Sequence, residues 1–148
     1  MFLGEYSHSL DAKGRLILPA RFRDQLKIVF LTSEVDKCLA IWPPEEFNVK
    51  AGQMKELLHG TAIERNIARA FFSGAVDSSP DRQGRLAIPP SLRAFAGLDR
   101  EVTVTGQFDH LEIWDAGAWL ETKRQGEQGL AGGEPQGLAS PPDGNGSK

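Results

Sequence analysis

The sequence predicts an α+β fold, mainly β with short helices. Two pseudo-symmetric units pack together, with two connecting helices between them and a flexible tail behind. Three observations carry this expectation. A turn-centred element occurs twice. β-forming runs follow it in the same order each time. Helical periodicity is concentrated in the segment between the copies. The first copy of the element reads Asp11-Ala-Lys-Gly-Arg15-Leu-Ile-Leu-Pro19-Ala-Arg-Phe-Arg23, and the second Asp81-Arg-Gln-Gly-Arg85-Leu-Ala-Ile-Pro89-Pro-Ser-Leu-Arg93, 70 positions later. Leu39-Ala-Ile41-Trp42 then returns as Leu111-Glu-Ile113-Trp114 at an offset of 72. Two blocks in one order indicate duplication. Each copy is about 45 residues, too small for a comfortable core of its own, so the copies are expected to pack on each other about a pseudo-two-fold axis.

Residues 2–10 have strand character. At 11–14 a tight turn follows, where Gly14 is free to take positive φ, and residues 15–18 lead out as a second strand. Pro19 suits the first turn of a short helix, where its missing N–H costs nothing. Residues 27–32 and 38–42 are rich in β-formers and read as a hairpin around Ser-Glu-Val-Asp. Residues 44–58 and 62–72 read as helices, the second with Ile63, Ile67, Ala70 and Phe71 along one stripe. The second copy repeats the pattern: strand 74–79, turn 81–84, strand 85–88, a helix from Pro90, then strands 101–105 and 110–114. Residues 116–123 read as a short final helix. The expected organisation is a first repeat at 1–50, a connecting helical region at 51–73, a second repeat at 74–123 and a tail at 124–148. That tail holds 7 of the 16 glycines and 3 of the 9 prolines, with only Leu130 and Leu138 as large apolar residues. Such a segment buries too little surface to offset its ordering entropy.

Composition excludes several classes. Charged residues are 25% of the 148 and apolar residues 40%, ordinary for a globular protein. The single cysteine cannot form an internal disulfide or a cysteine-rich zinc site. No run reaches the roughly 18 apolar residues of a membrane helix, and the opening residues lack a secretory pattern, so the expected location is cytoplasmic. The formal net charge is -3, but its distribution is uneven. Residues 11–27 carry Lys13, Arg15, Arg21, Arg23 and Lys27 against Asp11 and Asp24, a local +3. Residues 81–93 carry Arg82, Arg85 and Arg93 against Asp81, a local +2. Positive charge concentrated in the duplicated element is the footprint of a phosphate-backbone binder.

Within each turn, Asp-x-x-Gly-Arg places a carboxylate four residues before a guanidinium. The carboxylate can accept backbone N–H bonds inside the turn and steady the arginine, whose planar fork suits phosphate or the O6/N7 edge of guanine. The candidate DNA-binding residues are therefore Lys13, Arg15, Arg82 and Arg85, with Asp11, Gly14, Asp81 and Gly84 supporting the turns. A plain Asp–Arg pair that only fixes the hairpin is the competing reading. Trp42 and Trp114, at equivalent positions in apolar strands, are expected in the core. Cys38 is expected to be a buried, inert thiol. His8, His59 and His110 lack ligand spacing and read as structural or exposed. Arg65 and Arg69, four apart on a helix, are expected to pair with acidic groups, within or between subunits. No catalytic motif is present. Asp11 and Asp81 make a poor acid–base pair, because the adjacent arginine keeps each ionised.

The opening MFLGEYSHSLDAKGRLILPARFR, the central ERNIARAFFSGAV, the second DRQGRLAIPPSLR with AFAGL, and QFDHLEIWD together resemble the MraZ family of bacterial regulators over about residues 1–120. The resemblance implies two SpoVT/AbrB-like swapped-hairpin units, each a half-barrel. It implies binding to double-stranded DNA at direct repeats in the promoter of the chain's own division and cell-wall operon, usually with repression. It also implies association with the nucleoid, assembly into an octameric or dodecameric ring, and no cofactor, metal or small-molecule substrate. The family's Asp-x-x-x-Arg motif maps onto Asp11 with Arg15 and onto Asp81 with Arg85. Lys13 lies inside the first motif and Arg82 inside the second. An alternative within the same fold class is an antitoxin-like module that joins DNA binding to capture of a protein through the tail.

Overall fold

The computed structural model describes residues 1–132. Residues 1–116 form one body, and the described residues after them, 117–132, belong to a second unit. In the first body the strands are β1 (Glu5–Ser9), β2 (Arg15–Ile17), β3 (Val29–Glu34), β4 (Cys38–Trp42), β5 (Val76–Ser78), β6 (Arg85–Ala87), β7 (Glu101–Gly106) and β8 (Leu111–Asp115). The helices are α1 (Pro44–Glu56), α2 (Ala62–Gly74), α3 (Pro90–Ala96) and α4 (Ala116–Ala131). Short 3-10 turns occupy Ala20–Gln25 and Leu57–His59. The architecture is a mainly-sheet α+β fold.

Six strands form one antiparallel sheet in the order β1-β7-β8-β4-β3-β5, and β2 pairs with β6 in a separate two-stranded ribbon. Exchanging the two copies turns the sheet order into itself read backwards. The first strand of each copy pairs with the third strand of the other, β1 with β7 and β5 with β3. At the centre of the sheet Ala40 lies opposite Glu112, its own counterpart in the duplication. In the ribbon Leu16 lies opposite Leu86, again equivalent positions. The pseudo-dyad therefore passes through both strand pairs, and neither copy completes its sheet without the other.

The core follows from this pairing. Leu16, Leu18, Leu86 and Ile88 from the ribbon meet Leu31, Leu39, Ile41, Val104, Leu111 and Ile113 from the sheet, all at most 1% exposed. Each such side chain contributes about 1.5–3 kcal/mol on burial, and both copies supply them to one shared interior. Trp42 and Trp114 are buried too, but outside this cluster, at strand positions that alternate with Ile41 and Ile113. The Trp42 Nε1 donates to Thr32 Oγ1 at 2.9 Å, which removes the cost of burying the indole N–H. Cys38 is 1% exposed, and burial first, then the nearby Glu112, Glu34 and Asp36 carboxylates, push its thiol well above the ordinary range.

The α2 N-terminus forms at the expected place because Thr61 and Glu64 make a reciprocal capping box, with Glu64 N donating to Thr61 Oγ1 at 3.2 Å and Thr61 N to Glu64 Oε1 at 2.8 Å. The two post-turn helices differ. In the second copy α3 ends on Gly97 at φ 63°, and Leu98 N closes back on Arg93 O at 2.9 Å. In the first copy no glycine stands after Gln25, and the segment stops as a 3-10 turn at Leu26. Strand register makes Val102 the counterpart of Val29, so the second copy is three residues longer between Arg93 and that strand, and Gly97 and Leu98 in that segment complete the cap. Among the described residues Arg65 and Arg69 find no acidic partner within their own chain. Arg65 Nη1 donates to the Gly60 carbonyl at 2.8 Å and Arg69 Nη1 to Asn66 Oδ1 at 3.0 Å, because the acceptors within reach on their own helix turns are neutral.

The final helix corrects the expected boundary at 124. α4 runs through Ala131, eight residues further than residues 116–123. Arg124 Nη2 lies 2.7 Å from Glu121 Oε2, and Gln125 Nε2 donates to the same oxygen at 2.8 Å. These one-turn contacts offset part of the glycine cost. The rest of the expected tail, residues 133–148, lies outside the described residues. Among the described residues no helix is long and apolar enough to cross a membrane.

Candidate nucleic-acid interface

The two Asp-to-Arg turns are built alike, atom for atom. Asp11 Oδ1 accepts from the amides of Lys13 and Arg15 at 2.9 Å each, and Asp11 Oδ2 accepts from Arg15 Nε at 2.7 Å. Asp81 Oδ1 accepts from the amides of Gln83 and Arg85 at 2.9 Å each, and Asp81 Oδ2 from Arg85 Nε at 2.7 Å. Main-chain bonds close each loop, Asp11 N to Arg15 O at 3.0 Å and Asp81 N to Arg85 O at 2.9 Å. The amide of the fifth residue, followed by its guanidinium and the amide of the third, holds each carboxyl below its ordinary value of 3.8. These aspartates are therefore ionised acceptors that set the turn.

Each arginine leaves its turn as the first residue of a ribbon strand. Arg15 stands opposite Ala87 and Arg85 opposite Ile17. Side chains alternate faces along a strand, so the buried Leu16 and Leu86 turn inward while Arg15, Ile17, Arg85 and Ala87 share the outer face. Arg15 and Arg85 are diagonal neighbours there, with Cα atoms about 7–8 Å apart by ribbon geometry. The carboxylate contact uses only the Nε edge of each guanidinium, which keeps hydrogen-bonding capacity at the two terminal nitrogens. The side chains of Arg15 and Arg85 are 27% and 31% exposed. Lys13 and Arg82 sit exposed at the turn tips. Thus Asp11, Lys13 and Arg15 come together at one end of the ribbon and Asp81, Arg82 and Arg85 at the other.

Two further arginines brace this arrangement. Gly14 has φ 74° and Gly84 has φ 80°, the left-handed region that glycine enters at least cost. Against Gly14 packs the side chain of Arg93, whose Nη1 donates to the Ile88 carbonyl; a Cβ on Gly14 would overlap it. Against Gly84 packs Arg23, whose Nε donates to the Leu18 carbonyl at 3.2 Å; a Cβ on Gly84 would lie 2.6 Å from that Nε. Arg23 belongs to the first copy and braces the turn of the second, and Arg93 does the reverse. Both were visible in the sequence only as contributors to local charge. Their identity between the copies was the available signal, but not the turn each one meets.

His110 lies elsewhere. His110 stacks on Trp42 with ring centroids 4.2 Å apart, and its Nδ1 lies 2.6 Å from Asp109 Oδ1. Among the described residues no group of three or more His, Cys, Asp or Glu side chains is placed to hold a metal ion.

Fold and turns together define a tandem-repeat protein whose two copies share one core and present paired Asp–Arg turns on one ribbon. The family model described as "MraZ protein, putative antitoxin-like" matches the chain twice, over residues 1–69 and 71–131. The protein named transcriptional regulator MraZ from Arthrobacter sp. (strain FB24) is 48% identical over 122 residues, which is 82% of this chain and 86% of the relative. That of Clavibacter michiganensis subsp. michiganensis is 44% identical over 132 residues, 88% of this chain and 92% of the relative. That of Moorella thermoacetica is 43% identical over 126 residues, with 84% and 88% covered. The chain belongs to the MraZ family, which is not an enzyme family.

Proposed function

We propose that this protein is a sequence-specific DNA-binding transcription regulator that acts in the cytoplasm, on the nucleoid, as a repressor of its own operon. The observation that carries the reading is the placement of Arg15 and Arg85 on the same outer face of the β2/β6 ribbon, each steadied by a carboxylate that leaves its terminal nitrogens available. A two-stranded ribbon fits a major groove about 12 Å wide, and arginine pairs with the O6/N7 edge of guanine. Lys13 and Arg82 then neutralise phosphate, and Asp11, Gly14, Asp81 and Gly84 keep the turns in shape. The names of the relatives support regulation of transcription.

The exchange of strands between copies supports two swapped-hairpin half-barrels as the underlying units, with repeats at 1–50 and 74–123 and helices between. Self-association into a ring of eight or twelve copies is the assembly we infer. An apolar groove lined by Val35, Met54, Leu57, Ile67, Phe71 and Phe95 supports contact with further protein. A ring would present the same ribbon many times, so that direct repeats spaced near one helical turn are engaged together. The test is footprinting on the DNA upstream of the gene, at stated salt, with wild type and Arg15→Ala. Regularly spaced protection that disappears in the variant is expected. Protection that survives the substitution removes Arg15 from the interface, and absence of protection by wild type overturns the function.

A further inference from the structure

Beside each turn lies a cleft made by both copies, and the two clefts are not alike. The cleft at the second turn, about 200 Å³, is lined by Arg23, Lys27 and Arg82 against the single carboxylate of Asp81. The cleft at the first turn contains Arg93 and Arg100 against two carboxylates, Asp11 and Asp99. Arg23 and Arg93 are equivalent in the duplicated element, and the strand register that matches Val29 with Val102 makes Lys27 equivalent to Arg100, so those cations are matched. The difference comes from two positions. Ala12 stands where the second copy has Arg82, and Asp99 lies in the segment that is three residues longer in the second copy. In addition, Arg100 Nε lies 3.6 Å from Glu101 Oε2. Among the described residues neither Lys27 nor Arg82 has an acidic partner within 4 Å.

We infer that the second-turn cleft is a phosphate-binding site for the DNA backbone, made by Arg23 and Lys27 of the first copy with Arg82 of the second, and that the first-turn cleft is not one. This deepens the proposed function and rests on it. Three cations around one concavity create a local field that favours a doubly ligated anionic oxygen pair, whereas balanced charges at the first cleft do not. Asp81 and Asp11 are engaged alike inside their own turns, so the clefts differ in what remains: three cations at the second turn, but at the first two cations facing Asp99 and, beside Arg100, Glu101. A phosphate held in a three-cation cleft at the second turn, where the first turn offers Lys13 alone at its tip among the described residues, also breaks the pseudo-two-fold symmetry. It gives the bound duplex a single polarity relative to the chain.

The experiment measures binding of full-length protein to the upstream duplex and to an unrelated duplex across a salt series. The variants are Lys27→Gln, Arg82→Gln and Arg100→Gln, all at exposed positions, with thermal melts run alongside. Each lost phosphate contact makes the slope of log affinity against log salt shallower by about one per engaged cleft. Lys27→Gln and Arg82→Gln are expected to do this equally on both duplexes, and Arg100→Gln to leave the slope unchanged. Unchanged slopes in Lys27→Gln and Arg82→Gln, or an equal change in Arg100→Gln, overturn the inference. So does a loss confined to the upstream duplex, which would make these side chains base readers. If wild type binds and Arg15→Ala does not, such results remove the cleft while leaving the proposed function standing.

Discussion

Leu16 lies directly opposite Leu86 across the β2/β6 ribbon, and both are fully excluded from solvent. They are the same residue in the two copies, 70 positions apart, and the pseudo-dyad runs between them. The ribbon that carries Arg15 and Arg85 on its outer face is thus held to the body by this pair on its inner face. Packing and the candidate interface are two sides of six residues.

Leu16→Ala or Leu86→Ala is expected to lower stability by about 2–5 kcal/mol, the range for removing a well-packed leucine. Because the two side chains occupy neighbouring space, the double variant should depart from additivity. Urea unfolding of the four proteins checks this. A loss below about 1 kcal/mol in both single variants would mean that the ribbon is not anchored through these leucines.

Gly84→Ala should be costly for two reasons at once. The backbone there is left-handed, and the new methyl would meet Arg23 Nε. The conformational part alone is about 1–2 kcal/mol. Gly14→Ala is expected to behave alike, with Arg93 displaced. By contrast Gly126→Ala on α4 meets open space and should be neutral or stabilising. Thermal melts that ranked Gly126→Ala as the worst of the three would contradict the turn geometry.

Acid should loosen the turns. Asp11 and Asp81 have folded values below 3.8, held down first by the amides of Arg15 and Arg85. A depressed carboxyl contributes stability that is present above its unfolded value and is lost as pH falls through the folded one. The loss therefore begins just under pH 4, with no contribution to pH dependence near neutrality. Asp11→Asn and Asp81→Asn should flatten the decline of melting temperature below pH 4. Curves parallel to wild type in that window would show that other carboxylates govern the acid limb.

Arg15→Lys keeps the charge but not the planar fork. Affinity for unrelated DNA should stay within about twofold, while preference for the upstream duplex should fall about tenfold or more, the scale of one bidentate base contact. Competition binding measures both quantities. If Arg15→Lys retains the full preference, Arg15 contacts phosphate and not a base.

Much of this was legible in order along the chain. The turn at Asp11–Gly14 and the strand after it are local, and local periodicity and turn chemistry encode them, while the repeat shows as the same residues in the same order 70 positions apart. The Asp–Arg pairing within each turn is local too, which is why the spacing alone pointed to it. The extent of α4 was misjudged because glycines at 126 and 129 read as tail composition, whereas Glu121, Arg124 and Gln125 are satisfied within one helical turn. The acidic partners expected for Arg65 and Arg69 do not come from their own chain among the described residues, because one-dimensional spacing does not say which neighbours a helix face meets.

By itself, then, the sequence determined the elements, the duplication and the concentration of positive charge in the repeated turns, since these depend on residues within a few positions of one another. Only the tertiary structure decided that β1 joins β7 and β5 joins β3, that Arg23 and Arg93 cross to the other copy's turn, and that one cleft is cationic while the other is balanced. Those facts depend on which distant residues meet once a shared core forms. Hydrophobic burial drives that meeting but carries no direction of its own, so the partners are chosen by strand register and shape, and neither can be read from any single stretch of chain.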